Sequence, residues 1–88
     1  MEVLKVSANT EVKSLAGAIA GYMREENSAE MQAIGAGAVN TAIKAIAVAR
    51  GFLAPTGVDL VCTPCFADVE IEGDIRTVIK LRLSDRRG

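Results

Sequence analysis

Ile75-Arg76-Thr77-Val78-Ile79-Lys80-Leu81-Arg82-Leu83-Ser84 alternates between two kinds of residue. Successive side chains of an extended chain point to opposite faces, so Ile75, Thr77, Ile79, Leu81 and Leu83 share one side. Arg76, Val78, Lys80, Arg82 and Ser84 share the other. This is the clearest strand in the chain. It requires a sheet with one face on a core and a basic face turned away from it.

Working back from that strand, Val58 to Ile71 reads as its hairpin partner, interrupted at Pro64. Proline removes a ladder donor, so the strand should bulge or run along an edge there. Ala67, Val69 and Ile71 are expected to share a face with Ile75, Thr77 and Ile79, because a slip of one residue would put apolar side chains in water. A two-residue loop at Gly73-Asp74 would pair Ile71 with Arg76, on opposite faces. A three-residue loop, Glu72-Gly73-Asp74, is therefore expected. It pairs Ile71 with Ile75 and Glu70 with Arg76, and places Phe66 opposite Lys80.

Further upstream, Val39, Ala42, Ile43, Ile46, Ala47 and Arg50 recur at helical spacing after Gly35-Ala36-Gly37, with Gly51 and the Pro55-Thr56-Gly57 turn as stops. Glu30 to Ile34 is a short strand before that helix. Val12, Leu15, Ala16, Ile19, Ala20 and Met23 form an earlier helical stripe, with Asn9 or Thr10 as N-cap, Glu11 in the first turn and an end near Arg24-Glu25-Glu26-Asn27. Gly17 and Gly21 weaken that helix, for close packing or for mere lack of bulk. Val3 to Ser7 is the first strand. The order is βαβαββ, an α+β single domain over residues 1–88. Its mixed four-stranded sheet carries both helices on one face, as the right-handed crossover rule requires.

Composition narrows the function. The chain has 88 residues, half of them hydrophobic, but fourteen are alanine and three are aromatic. Small side chains bury little area, so a homodimer or higher homo-oligomer sharing apolar surface is expected. The longest apolar run, Leu15 to Met23, is too short for a membrane span, and the N-terminus lacks the pattern of a signal peptide. The chain reads as cytoplasmic. It contains no histidine, which removes the commonest general base and most zinc sites. An enzyme is not expected, nor a metal or cofactor.

The net charge is −1, but it is unevenly spread. Residues 1–75 hold five Lys/Arg against ten Asp/Glu, and residues 76–88 hold five (Arg76, Lys80, Arg82, Arg86, Arg87) against Asp85. A basic strand and tail can be a solvated edge or a face for an anionic partner. Cys62-Thr63-Pro64-Cys65 has redox-dithiol spacing but sits in a strand, without the helix N-terminus that lowers a thiol pKa. Incidental cysteines are the plainer reading. Gly35-Ala36-Gly37 at a helix start is either an anion site or a tight turn; Asn40 stands where a dinucleotide fingerprint needs its third glycine. Glu25-Glu26 and Asp68, Glu70, Glu72 and Asp74 read as solvated carboxylates. Phe66, on a polar face beside cations, could stack on a base or pack on a subunit.

The stretch from Met31 to Arg50, MQAIGAGAVNTAIKAIAVAR, is distinctive. With the opening EVLKVSANT (2–10) and the tail IKLRL (79–83), the whole chain closely resembles bacterial stage V sporulation protein S. That family is similar in turn to the Alba proteins, small βαβαββ domains that dimerise and bind DNA or RNA. The resemblance implies a single Alba-like domain and a non-enzymatic regulator of sporulation, septation or development. It also implies nucleic-acid contacts in three regions: Ser7, Asn9 and Lys13 after the first strand, Gly35, Gly37, Asn40 and Lys44 at the second helix, and Arg76 and Lys80 on the hairpin. Alba proteins commonly have a lysine pair in the first loop and are basic. Here the loop reads Ser7-Ala8-Asn9 and the chain is acidic. Weak or selective nucleic-acid binding is thus expected, with a protein-interaction module as the alternative.

Overall fold

A computed structural model describes residues 2–88. The chain runs β1 (Val3–Val6), α1 (Val12–Glu26), β2 (Ser28–Ala33), α2 (Ala36–Leu53), a 3-10 turn (Ala54–Thr56), β3 (Leu60–Ile71) and β4 (Asp74–Asp85). The sheet order is β1-β2-β4-β3. β1 and β2 are parallel, and β4 is antiparallel to both of its neighbours. Both β-α-β crossovers progress in one direction across the sheet, which stacks both helices on one face.

That face builds the core. Val6, Ala29, Met31, Ala33, Leu60, Leu81 and Leu83 from the strands meet Leu15, Ala16, Ile19, Ala20 and Met23 of α1. The α1 stripe is the one expected from sequence, but its cap is not. Glu11 is the N-cap, its carboxylate accepting the Ser14 N–H at 2.8 Å. The Thr10 hydroxyl instead accepts the Ser7 N–H at 2.9 Å, within the preceding loop. Asn27 ends the helix in the left-handed region, φ 57°. A Cβ added at Gly17 or Gly21 would meet nothing within 4 Å, so these glycines serve no close packing.

α2 differs more. Its buried residues are Ala38, Thr41, Ala42, Ala45, Ile46, Ala49 and Leu53. The expected stripe shares only Ala42 and Ile46 with this set, and Ile43 is 49% exposed. Bulk pointed to Val39 and Ile43, whereas the packed side is the alanine side, which lets the helix axis lie close to its neighbours. Gly51 does not stop the helix; it lies inside it.

β2 starts at Ser28 and excludes Ile34; β3 starts at Leu60, not Val58. Pro64 lies on β3, an edge strand, in unbroken register opposite Leu81. The alternation of β4 holds, with Leu81 and Leu83 in the core and Lys80 and Arg82 on the open face.

The hairpin turn overturns the expected register. Ile71 pairs with Asp74, Glu70 with Ile75, Val69 with Arg76 and Phe66 with Ile79. The loop is two residues, Glu72-Gly73, both at positive φ (50° and 84°). This is the type I′ geometry whose twist matches that of the flanking strands. Ala67, Val69 and Ile71 therefore lie on the open-face side, and Phe66 and Ile75 on the helix side. Phe66 is 78% and Ile75 70% exposed. The face-matching rule failed because it presumes a covering layer, and the outer arm has none within the chain.

Candidate nucleic-acid interface

Three segments meet at one end of the sheet. Val6 pairs with Ala33, and Ala33 with Ile79, so the first loop, the start of α2 and the base of the hairpin arm leave the sheet at the same edge. The loop is folded on itself. The Asn9 N–H donates to the Ser7 hydroxyl at 3.3 Å, and the Thr10 N–H donates to the Ser7 carbonyl at 3.2 Å.

The loop is also fastened to α2. The Thr41 hydroxyl donates to the Ala8 carbonyl at 3.2 Å, which satisfies the only polar side chain among the described buried residues. A Cβ at Gly37 would stand 2.9 Å from Ala8 Cβ. The glycine pair thus does two different things. Gly35 takes φ 91° as the cap of α2, without a side-chain hydrogen bond to the helix. Gly37 lets the first loop approach.

The expected contact residues divide between two faces. Ser7, Asn9, Lys13, Gly35, Gly37, Asn40 and Lys44 are all exposed. Asn40 and Lys44 are one turn apart on α2 and share a side of it. Arg76 and Lys80 lie on the open face of the sheet, Arg76 opposite Val69 and Lys80 opposite Gln32 and Cys65. Lys80 Nζ is 3.9 Å from a Glu30 carboxylate oxygen. The arm beyond it carries Asp68, Glu70, Glu72 and Asp74, all exposed, against Arg76. The tip is therefore acidic, while the cations among these residues lie at its base and towards the loop end.

Two tail arginines turn out to have structural work. Asp59 pairs with Arg50 at 3.2 Å and with Arg86 at 3.4 Å. Arg50 also donates to the Leu60 carbonyl, and Arg87 to the Gly57 carbonyl at 3.2 Å. Asp85 accepts the N–H groups of Asp59 and Arg87, each at 3.0 Å. Those backbone donors, Arg87 first, hold its carboxyl below the ordinary aspartate value. This corner ties the end of α2 to the end of β4.

The cysteines lie on opposite faces of β3. Cys62 pairs with Leu83 on the helix side, half-buried, and burial pushes its thiol up. Cys65 is exposed opposite Lys80 on the open face. Their side chains diverge, so a disulfide between them would need the strand to break.

Sequence reading missed the group around Arg82. Glu30 also reaches Arg82, at 3.9 Å, and Arg82 is flanked on its strand neighbours by Glu30 and Thr63. The signal was present, since Arg82 has the parity of Lys80, but its neighbours follow only from the register.

A profile of the family Stage V sporulation protein S (SpoVS) matches residues 2–86. The chain belongs to the stage V sporulation protein S family. Among solved structures, Alba from Thermoplasma volcanium is similar, with a TM-score of 0.58 at 13% sequence identity. The likeness covers 93% of this chain and 95% of that one. At such low identity it shows the fold alone, so this stage V sporulation protein S family member has an Alba-like fold. No helix among the described residues is long and apolar enough to cross a membrane.

Proposed function

We propose that this protein is a non-enzymatic regulator in the cytoplasm that acts by weak or selective binding of nucleic acid, as a homodimer or higher homo-oligomer. One observation carries the reading. The Ser7–Thr10 loop, the glycine start of α2 and the base of the arm meet at one end of the molecule, with Lys13 in the first turn of α1 and Lys44 farther along α2, both exposed. Backbone N–H groups at the start of α2 and its dipole favour a phosphate there, and the two lysines add charge. The membership in a sporulation family and the Alba-like fold support the same class of role.

The surface also sets the strength. Among the expected contact residues the exposed cations are three, Lys13, Lys44 and Arg76, and the acidic arm tip opposes them. About three phosphate contacts per protomer give a salt slope of only about 2–3, far from the behaviour of a bulk DNA coat. Fluorescence anisotropy with short duplex DNA and with single-stranded RNA, at about 20 and about 150 mM salt, tests this. The expected result is binding at low salt, weakened in Lys13→Gln and Lys44→Gln with a shallower slope. Absence of binding to both nucleic acids at low salt overturns the reading.

A second reading has its own support. The acidic tip and the exposed Phe66 and Ile75 suit a protein partner, by way of the hairpin. A stoichiometric partner that survives nuclease treatment, and is lost when the arm is altered, would favour it.

A further inference from the structure

The open face of the sheet carries a second group of polar side chains, at the end away from the first loop. Ser28 and Ser84 face each other across β2 and β4, and Thr63 faces Arg82 across β3 and β4. With Glu30 they line a shallow groove of about 290 Å³. That is the low end of ligand-site volumes and suits a small ion rather than a large molecule. We propose that this groove binds a phosphate-type anion, held by the Arg82 guanidinium and the hydroxyls of Thr63 and Ser84. It is a site distinct from the loop end and does not depend on the function proposed above.

The chemistry rests on donors and on charge. The Arg82 side chain is 70% exposed, and its ion-pair contact with Glu30, at 3.9 Å, is too long for a hydrogen bond. Its N–H fork therefore remains open to a tetrahedral oxyanion, which it matches in geometry. Among the described residues, the Thr63 and Ser84 hydroxyls have no hydrogen-bond partner. Hydroxyls rotate to donate when an anion arrives.

Glu30 is the resident counter-ion. It lies 3.9 Å from both Lys80 and Arg82, so the three side chains carry a net charge of +1. When an anion takes the guanidinium, Glu30 keeps Lys80 as its partner. The exchange costs affinity, because Glu30 repels the incoming charge, and sets a modest binding strength that a neutral residue at position 30 would raise.

The test is an NMR titration of the full chain with three probes: inorganic phosphate, a nucleoside 5′-monophosphate and a single-stranded oligonucleotide. Inorganic phosphate is expected to shift the amide signals of Ser28, Thr63, Arg82 and Ser84. Arg82→Gln should abolish those shifts. Glu30→Gln should tighten binding about 5- to 10-fold, by removing one like charge at short range. Thr63→Val keeps the strand and should weaken binding, which separates anion contact from loss of fold. If the oligonucleotide moves the same signals, the phosphate source is a nucleic-acid backbone; if only the two small probes do, it is a free anion. Shifts confined to the first loop and the start of α2, or none with Glu30→Gln, would overturn the groove. Failure of the loop-end reading appears separately, as an oligonucleotide whose binding ignores Lys13 and Lys44.

Discussion

One methyl group at Gly37 tests how the first loop is held. The added Cβ would stand 2.9 Å from that of Ala8, closer than carbon atoms sit, so loop or helix must move. Gly37→Ala is expected to destabilise the protein by about 1–3 kcal/mol, as overpacking does, and to shift the loop amides of Ser7 to Thr10. Gly21→Ala is the control. It sits in the middle of α1 with nothing within 4 Å of the new atom, so it should stabilise by up to about 1 kcal/mol. Thermal denaturation of the two variants against the parent reads the difference; a Gly37→Ala variant that gains stability as Gly21→Ala does would disprove the close approach. The sequence left Gly35-Ala36-Gly37 open between an anion site and a tight turn. The structure shows why two glycines so close together could not be told apart by spacing: one is needed for its φ, the other for its missing side chain.

At the scale of elements, the corner formed by β4, the tail and the end of α2 predicts a pH dependence. Asp85 accepts two backbone N–H groups, and these lower its pKa in the folded state. A depressed folded-state pKa means that the unfolded chain takes up the proton first as acid is added. The stabilisation is thus fully present above the ordinary aspartate value of about 3.9. It is lost as pH falls from there through the lowered folded-state value. Asp85→Asn should lower stability at neutral pH and flatten the dependence of Tm on pH below about 4. Unchanged slopes would show that Asp85 is not coupled to folding. This corner was invisible in the sequence, where Arg86 and Arg87 read as part of a basic tail. The helix and strand patterns were legible, because α1 and the inner part of β4 bury regular stripes. The failures, the α2 stripe and the hairpin register, occur where one side of the element has no cover within the chain. There, periodicity weighs bulk, while the real choice is made by close-packed alanines on α2 and by turn geometry at Glu72-Gly73.

The whole molecule is longer than its size implies. Its extents are 43 × 24 × 17 Å and its radius of gyration is 12.8 Å, against about 12 Å for a compact chain of this length. The arm accounts for the excess, and it carries Phe66 and Ile75 into solvent on the side the helices would otherwise cover. The core behind it is thin: among the described residues seven large side chains are fully buried, and much of the rest of the core is alanine. The homo-oligomer proposed above would cover the exposed aromatic arm and extend this small core. Phe66→Ser discriminates this from a stable monomer. At 78% exposure Phe66 adds almost nothing to the protomer's own packing, so its replacement should leave the fold intact. It should convert a micromolar dimer into a monomer by sedimentation. It should also abolish the rise of Tm with protein concentration that dimerisation imposes by mass action. A parent chain that sediments as a monomer, with a Tm independent of concentration, would mean that the apolar arm faces some other partner and that the thin core is sufficient alone.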